Sequence, residues 1–307
     1  MLTSFFASSK PIHSIVVMVY MSLAYFWANG QLLFGEFSWQ NIVQVIGCWI
    51  LYIVALLVFS FIIQKNELTQ ATSYKTVLFG VFTAALPALF STPYILLSGL
   101  CVLIALRRII SLRSGLVIER KLFDAAFWLT IASLFYFWSG FFFAILFLSI
   151  FLYVRTQLRY WFIPLLGIGV VGVFICCYVL YIGDDQSYIL KYIDSVAFNF
   201  SAYSTLGILI SLTFLTGVLF WCIWRYFALM SATVFSQRGS YILIMSSIIV
   251  ALIIIILAPD KTGAEWYFLI PFLTIVAANY VEQTTNKFFT EFLLWVAIVI
   301  PVVVNII

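Results

Sequence analysis

Nine apolar stretches run through the chain, and two of them, 77–106 and 123–154, are 30 and 32 residues long. An α-helix rises about 1.5 Å per residue, so roughly 20 residues cross a hydrocarbon core of about 30 Å. Seven stretches (15–34, 42–63, 161–182, 203–224, 241–257, 266–281 and 292–307) each suit one crossing, the last three on the short side. The two long ones overshoot, at about 45 Å or more if continuously helical. Charged residues make up 8% of the chain, against roughly 25% in a soluble domain, too few to cover a water-exposed surface. The chain therefore belongs in a bilayer. A cytosolic enzyme, a secreted disulfide scaffold, a nucleic-acid binder and a disordered regulator are excluded together.

Each long stretch carries a break near its middle. Pro87 and Ser91-Thr92-Pro93 interrupt the first, because proline removes a backbone donor and biases the preceding residue away from helix. Ser139-Gly140 is a weaker break in the second. Charge decides how the stretches are traversed, since Lys and Arg in short loops favour the cytoplasmic side. With both stretches folded into hairpins and the N-terminus inside, 13 of the 15 basic residues fall inside, leaving Lys191 and Lys261 outside. With both as single spans the split drops to 8 against 7.

The expectation is an all-α polytopic membrane protein, one membrane domain over 1–307 with no soluble domain and about eleven transmembrane helices. Two pairs of short helices, at 77–106 and 123–154, turn at tips that face outward; the N-terminus lies inside and the C-terminus outside. The first stretch ends Tyr25-Phe26-Trp27-Ala28-Asn29, without a small-x-small cleavage site, and is expected to persist as a helix rather than to be removed as a signal peptide. Helices of about 14 residues span about 21 Å, so the tips stop below the outer surface and imply a recess there.

Candidate chemistry is sought beside that recess. The outer connections are 30–41, 183–202, which is the longest, and 258–264. They bring Glu36, the adjacent pair Asp184-Asp185 with Lys191, and Lys261 followed by Glu265 and Tyr267. A carboxylate beside a recess can deprotonate an acceptor hydroxyl or hold a divalent cation against a diphosphate. An ordinary solvated loop presents the same residues. On the inner face Arg107, Arg108, Arg113, Arg120 and Lys121 form the densest basic cluster, suited to anionic lipid headgroups or to a docking partner. The apolar stretches hold essentially no ionisable side chain, which argues against an ion-coupled transporter. His13 is the sole histidine and the five cysteines fall inside apolar runs, which removes multi-His metal sites and Ser-His or Cys-His relays. No metal site or cofactor is expected beyond such a divalent cation.

A first span, a loop carrying Glu36, paired short helices pointing outward, and Glu265-Trp266-Tyr267-Phe268-Leu269-Ile270-Pro271 leading into a span together resemble the C-type (GT-C) membrane glycosyltransferases. The resemblance implies transfer of a sugar from a polyprenyl-phosphate carrier at the outer leaflet, with Glu36 at the position of the base and Lys191 or Lys261 against the phosphate. More specifically, the opening Met1-Leu2-Thr3-Ser4-Phe5-Phe6-Ala7-Ser8-Ser9-Lys10-Pro11, with Lys65-Asn66-Glu67-Leu68-Thr69 and Phe123-Asp124-Ala125-Ala126-Phe127-Trp128, is similar to a family of polytopic inner-membrane proteins from Bacteroidota. That likeness covers the whole chain, implies a bacterial inner membrane, and brings no known activity with it.

Three readings stay open. In the first, a glycosyltransferase-like protein acts on a lipid-linked sugar, with Glu36, Asp184 and Asp185 as catalytic candidates and Lys191, Lys261, Glu265 and Tyr267 as substrate contacts. In the second, a non-catalytic subunit or scaffold of an envelope complex docks through its basic loops or aromatic surface. In the third, a lipid or small molecule is transported without ion coupling. Membrane lipids are partners in all three, nucleic acid in none.

Overall fold

The computed structural model describes residues 2–30, 39–154, 157–182, 194–259, 261–284 and 287–306. Glu36, Asp184, Asp185 and Lys191 lie outside them, as does most of the longest connection. The structure is 86% helical, with no strand among the described residues. Its α-helices are α1 (Leu2–Phe6), α2 (Pro11–Ala28), α3 (Trp39–Asn66), α4 (Tyr74–Ala84), α5 (Pro93–Ser111), α6 (Ile118–Phe135), α7 (Phe143–Tyr153), α8 (Arg159–Ile182), α9 (Leu206–Ala232), α10 (Phe235–Leu257), α11 (Ile270–Gln283) and α12 (Lys287–Ile306).

Seven of these, α2, α3, α5, α8, α9, α10 and α12, are long and apolar enough to cross a membrane. In five of the seven, no more than 39% of the apolar window is buried. What they turn outward is itself apolar, as at Leu180, Phe220 and Trp224. Helices that are apolar all round and exposed are stable against hydrocarbon and not against water. The chain is a multi-pass membrane protein.

Both overlong stretches are broken. In the first, α4 stops at Ala84, a 3-10 turn covers Pro87–Ser91, and α5 starts at Pro93. The Thr92 hydroxyl donates back to the Ala88 and Leu89 carbonyls at 3.1 and 3.2 Å, satisfying acceptors that the break leaves open. In the second, Tyr136 is extended (φ −148°, ψ 107°) and a 3-10 turn over Phe137–Phe142 leads into α7. Here the chain doubles back. Arg159, which opens α8, lies 3.3 Å from Glu119 in the first turn of α6, so α7 has returned to the end from which α6 set out.

The halves are unequal, contrary to the expectation of matched short helices: α4 and α7 have 11 residues, α5 has 19 and α6 has 18. The charged residues 107–108 and 119–124 sit within α5 and α6 instead of ending them. Long charged side chains at helix ends can reach the interface while their stems stay on apolar surface, so charge does not mark the helix limit.

The chain folds as two compact units, the first made of Met1–Leu96, Phe200–Ala232 and Lys261–Ile307, the second of Leu97–Asn199 and Thr233–Asp260. At the centre of the first unit lie α4, every residue of which is buried, and α11, buried along nearly its whole length. Phe79 of α4 stacks on Phe59 of α3 at 4.4 Å, and the Tyr52 and Thr83 hydroxyls are 2.7 Å apart. Tyr25 of α2 donates to the Val45 carbonyl of α3 at 2.9 Å. Such interhelical hydrogen bonds average about 0.6 kcal/mol in membranes, so close packing carries most of the cohesion.

In the second unit α6 and α8 run side by side. An added Cβ at Gly167 of α8 would stand 2.8 Å from the Ala126 Cβ and 3.0 Å from the backbone of Phe123 and Phe127. Two positions along the same helix, Gly169 faces open space. Gly167→Ala should therefore lower stability by about 1–3 kcal/mol through overpacking, whereas Gly169→Ala should be neutral or stabilising by up to about 1 kcal/mol. Thermal unfolding of the purified protein in detergent checks this; equal melting temperatures for the two variants would refute the close α6–α8 contact.

Candidate functional site

In the first unit, the segment that enters α11 gathers the described residues which the sequence marked for substrate contact. Gly263 takes φ +92°, a left-handed conformation that disfavours side chains, and a 3-10 turn over Ala264–Phe268 follows. The turn folds Glu265 back onto its own entrance. The Gly263 N–H donates to both carboxylate oxygens at 3.2 and 3.0 Å, the Thr262 hydroxyl lies 3.4 Å from one of them, and the Tyr203 hydroxyl donates to the other. Glu265 is fully buried. Burial pushes its carboxyl above the ordinary range, against the downward pull of Tyr203, the Gly263 N–H and Lys261.

Lys261 is buried as well, its ammonium 4.5 Å from the centre of the Phe200 ring. Burial lowers its pKa and the Glu265 carboxylate opposes that. Tyr267 stands apart: it is completely buried in the packed interior, and its hydroxyl has no hydrogen-bond partner among the described residues. The structure thus brings Lys261 and Glu265 together with Tyr203, and puts Tyr267 in the core. A carboxylate satisfied by its own loop orders the turn into α11; to act as a base it would have to exchange those donors for substrate.

Arg107, Arg108, Arg113, Arg120 and Lys121 belong to the second unit. Arg108 pairs with Asp124 at 2.9 Å. Lys121 donates to the Ser111 carbonyl and the Ser114 hydroxyl at 2.6 and 2.7 Å, closing the turn between α5 and α6. Arg120 is exposed, while Arg107 and Arg113 are partly covered. Arg108 and Lys121 are thereby engaged within the fold.

Sequence reasoning passed over the opposite end of the first unit, where α11 finishes. There Glu282 accepts from the Gln70 N–H at 2.9 Å and from the Thr72 hydroxyl. Glu291 of α12 accepts from the backbone N–H groups of Leu2 and Thr3 at 2.6 and 3.1 Å, and from the Thr3 hydroxyl at 2.6 Å. His13 is buried, its Nδ1 2.8 Å from the Ser8 carbonyl and 3.0 Å from the Ser73 hydroxyl. A polar cavity of 460 Å3 opens at this end, lined by Thr3, Gln70, Thr72, Tyr74, Glu282 and Thr290 among others.

An apolar groove of 290 Å3 is formed by α4, α9, α11 and α12 of the same unit. Leu78, Phe82, Phe214, Ala277, Leu294 and Ala297 line it, with Gly217 and the Trp221–Tyr280 pair, joined by indole N–H donation at 2.8 Å. A smaller groove of 240 Å3 between α2 and α12 is lined by Tyr20, Leu23, Trp27, Val302 and their neighbours. Among the described residues no three His, Cys, Asp or Glu side chains come together as a metal site would require.

Comparison with protein-family models, with curated proteins and with solved structures gives no match for this chain.

The Glu265 environment has a pH signature. A carboxyl whose folded pKa lies above its unfolded value of about 4.3 contributes stability that is complete below that value and is lost as pH rises through the folded pKa. Melting temperature should therefore fall as pH is raised from about 4.3, and Glu265→Gln should flatten that fall. Parallel pH slopes in the two proteins would contradict the buried, own-loop placement of Glu265.

Proposed function

We propose that this chain is a membrane protein that holds the hydrocarbon chain of a membrane lipid in the groove of its first unit. The carrying observation is that groove: apolar walls at the depth of the crossing helices, with Trp221 and Tyr280 supplying the amphipathic lining typical of lipid contact. The wider architecture proposed is the eleven-helix arrangement with the N-terminus inside, in a bacterial inner membrane. The reaction class proposed is sugar transfer from a polyprenyl-phosphate carrier at the outer leaflet. Its support is the resemblance to C-type glycosyltransferases, with Glu36 as base, Asp184 and Asp185 beside it, and Lys191 and Lys261 toward the phosphate; a divalent cation would be held by the acidic pair. Lys261 and Glu265, close together in the first unit, support a polar site where α11 begins.

A docking subunit is the competing reading. Its basic surface is reduced by the Arg108–Asp124 pair and by the role of Lys121 in the α5–α6 turn.

Gly217 supplies the test. A Cβ there meets nothing within 4 Å, and the residue lines the groove, so Gly217→Leu fills the space without straining the helix. A displaced tail returns to hydrocarbon, so the loss is one of packing contacts at about 0.1–0.2 kcal/mol per atom pair; about ten such contacts come to about 1.5 kcal/mol, roughly a tenfold loss of affinity. Lipid retained after detergent purification, measured by mass spectrometry, should drop about tenfold in Gly217→Leu and stay unchanged in Gly169→Leu, which points into open space of the second unit. Equal retention in both variants would exclude the groove as a lipid site.

A further inference from the structure

The apolar groove and the polar cavity of the first unit adjoin each other. Val281 lines both. On α4, Tyr74 lines the cavity and Leu78 and Phe82 line the groove, at spacings of four that put all three on one helix face. On α12, Thr290 lines the cavity and Leu294 the groove, again four apart. One strip therefore runs along α4, α11 and α12, apolar over most of its length and rich in hydroxyl groups where the helices reach their ends. A strip of that kind matches an amphiphile, with its tail along the helices and its head at the interface.

The chemistry of the cavity selects the head. Its volume, 460 Å3, falls in the range of about 300–1,000 Å3 usual for small-molecule sites. Among its described lining residues the carboxyl group is that of Glu282, set among Thr and Ser hydroxyls, Gln70 and the Tyr74 phenol; burial pushes its pKa up, against the downward pull of Thr72, the Gln70 N–H and Lys75. No Lys or Arg is among them; the buried Lys75 sets its ammonium 3.5 Å from the Gln70 carbonyl and near enough to Glu282 to favour its charged form in part. A carboxylate has about four acceptor positions, and Gln70 and Thr72 fill two of those on Glu282. We propose that this strip binds a zwitterionic phospholipid of the ethanolamine type, its acyl chain in the groove and its ammonium donating to Glu282. The phosphate of such a head would meet the neighbouring hydroxyls. A head with net negative charge would face Glu282 with no ammonium to offset the repulsion.

This inference rests on the groove being a lipid site, and the test separates the two. The full chain is reconstituted in nanodiscs of equal parts phosphatidylethanolamine and phosphatidylglycerol, re-extracted in mild detergent, and its retained lipid identified by mass spectrometry. The expected result is several-fold enrichment of phosphatidylethanolamine. Glu282→Gln should bring the ratio to about one with total retention maintained, while Gly217→Leu should lose both lipids, each loss being a factor of about ten. Phosphatidylglycerol enrichment, or an unchanged ratio in Glu282→Gln, overturns the headgroup assignment and leaves the groove standing. Failure of the wild-type protein to retain any lipid overturns both. A second measurement needs no variant: phosphatidylcholine keeps the positive charge but has no N–H donors, so the wild-type protein should retain it less than phosphatidylethanolamine, and equal retention would contradict an ammonium hydrogen-bonded to Glu282.

Discussion

Every main-chain N–H and C=O at hydrocarbon depth needs a partner within the protein, because the lipid offers none. That requirement governs where helices in this chain can stop. The crossing helices satisfy their backbones internally and can turn apolar flanks to lipid, as α8 and α9 do. A helix that ends early cannot. The short helices α4 and α11 are accordingly the most enclosed in their unit, and the turns beside the breaks are tied by local bonds: Ala85 N–H to the Val81 carbonyl and Leu86 N–H to that of Thr83 after α4, Tyr136 N–H to the Ala132 carbonyl after α6. Ala132 also accepts from the Ser98 hydroxyl of α5. Broken helices thus demand protein around them, and the unbroken ones supply it.

The same constraint shapes the polar chemistry. Carboxylates withdrawn from water persist where donors converge on them, and each end of the first unit has one, Glu265 fully buried and Glu282 half-buried. Glu265 is satisfied mostly by its own turn, which makes it an organiser of the entrance to α11. Glu282 draws its partners from the connection before α4 and lines an open cavity. Burial alone does not distinguish a structural carboxylate from a binding one; the presence of space beside unfilled acceptor positions does. The proposed lipid site follows from that distinction.

How much of this could be read from residues alone depends on sequence distance. The breaks at Pro87 to Pro93 and at Ser139-Gly140 were legible because proline and glycine act on their own backbone, and length against bilayer thickness made both stretches suspect. That Lys261 and Glu265 lie near each other follows from their closeness in the chain. The partners of Glu265 and Glu282 were not: Tyr203 lies 62 residues from Glu265, and Gln70 and Thr72 lie 212 and 210 residues from Glu282. Nothing local marks such contacts. Tyr267 looked accessible because it opens an apolar run beside a loop, yet the 3-10 turn carries it inward. The candidates Glu36, Asp184, Asp185 and Lys191 lie outside the described residues, so their roles stand on sequence pattern and resemblance.

The central claim is that an apolar stretch long enough to cross the membrane once instead turns inside it. Leu116, before α6, and Leu158, before α8, are both well exposed and bracket that hairpin. Single cysteines at these positions, in a background with the five native cysteines replaced, can be probed in intact vesicles with a membrane-impermeant maleimide. Both sites should label from the same side of the membrane. Labelling from opposite sides would mean that the stretch passes straight through, and the account of the buried turn would be wrong.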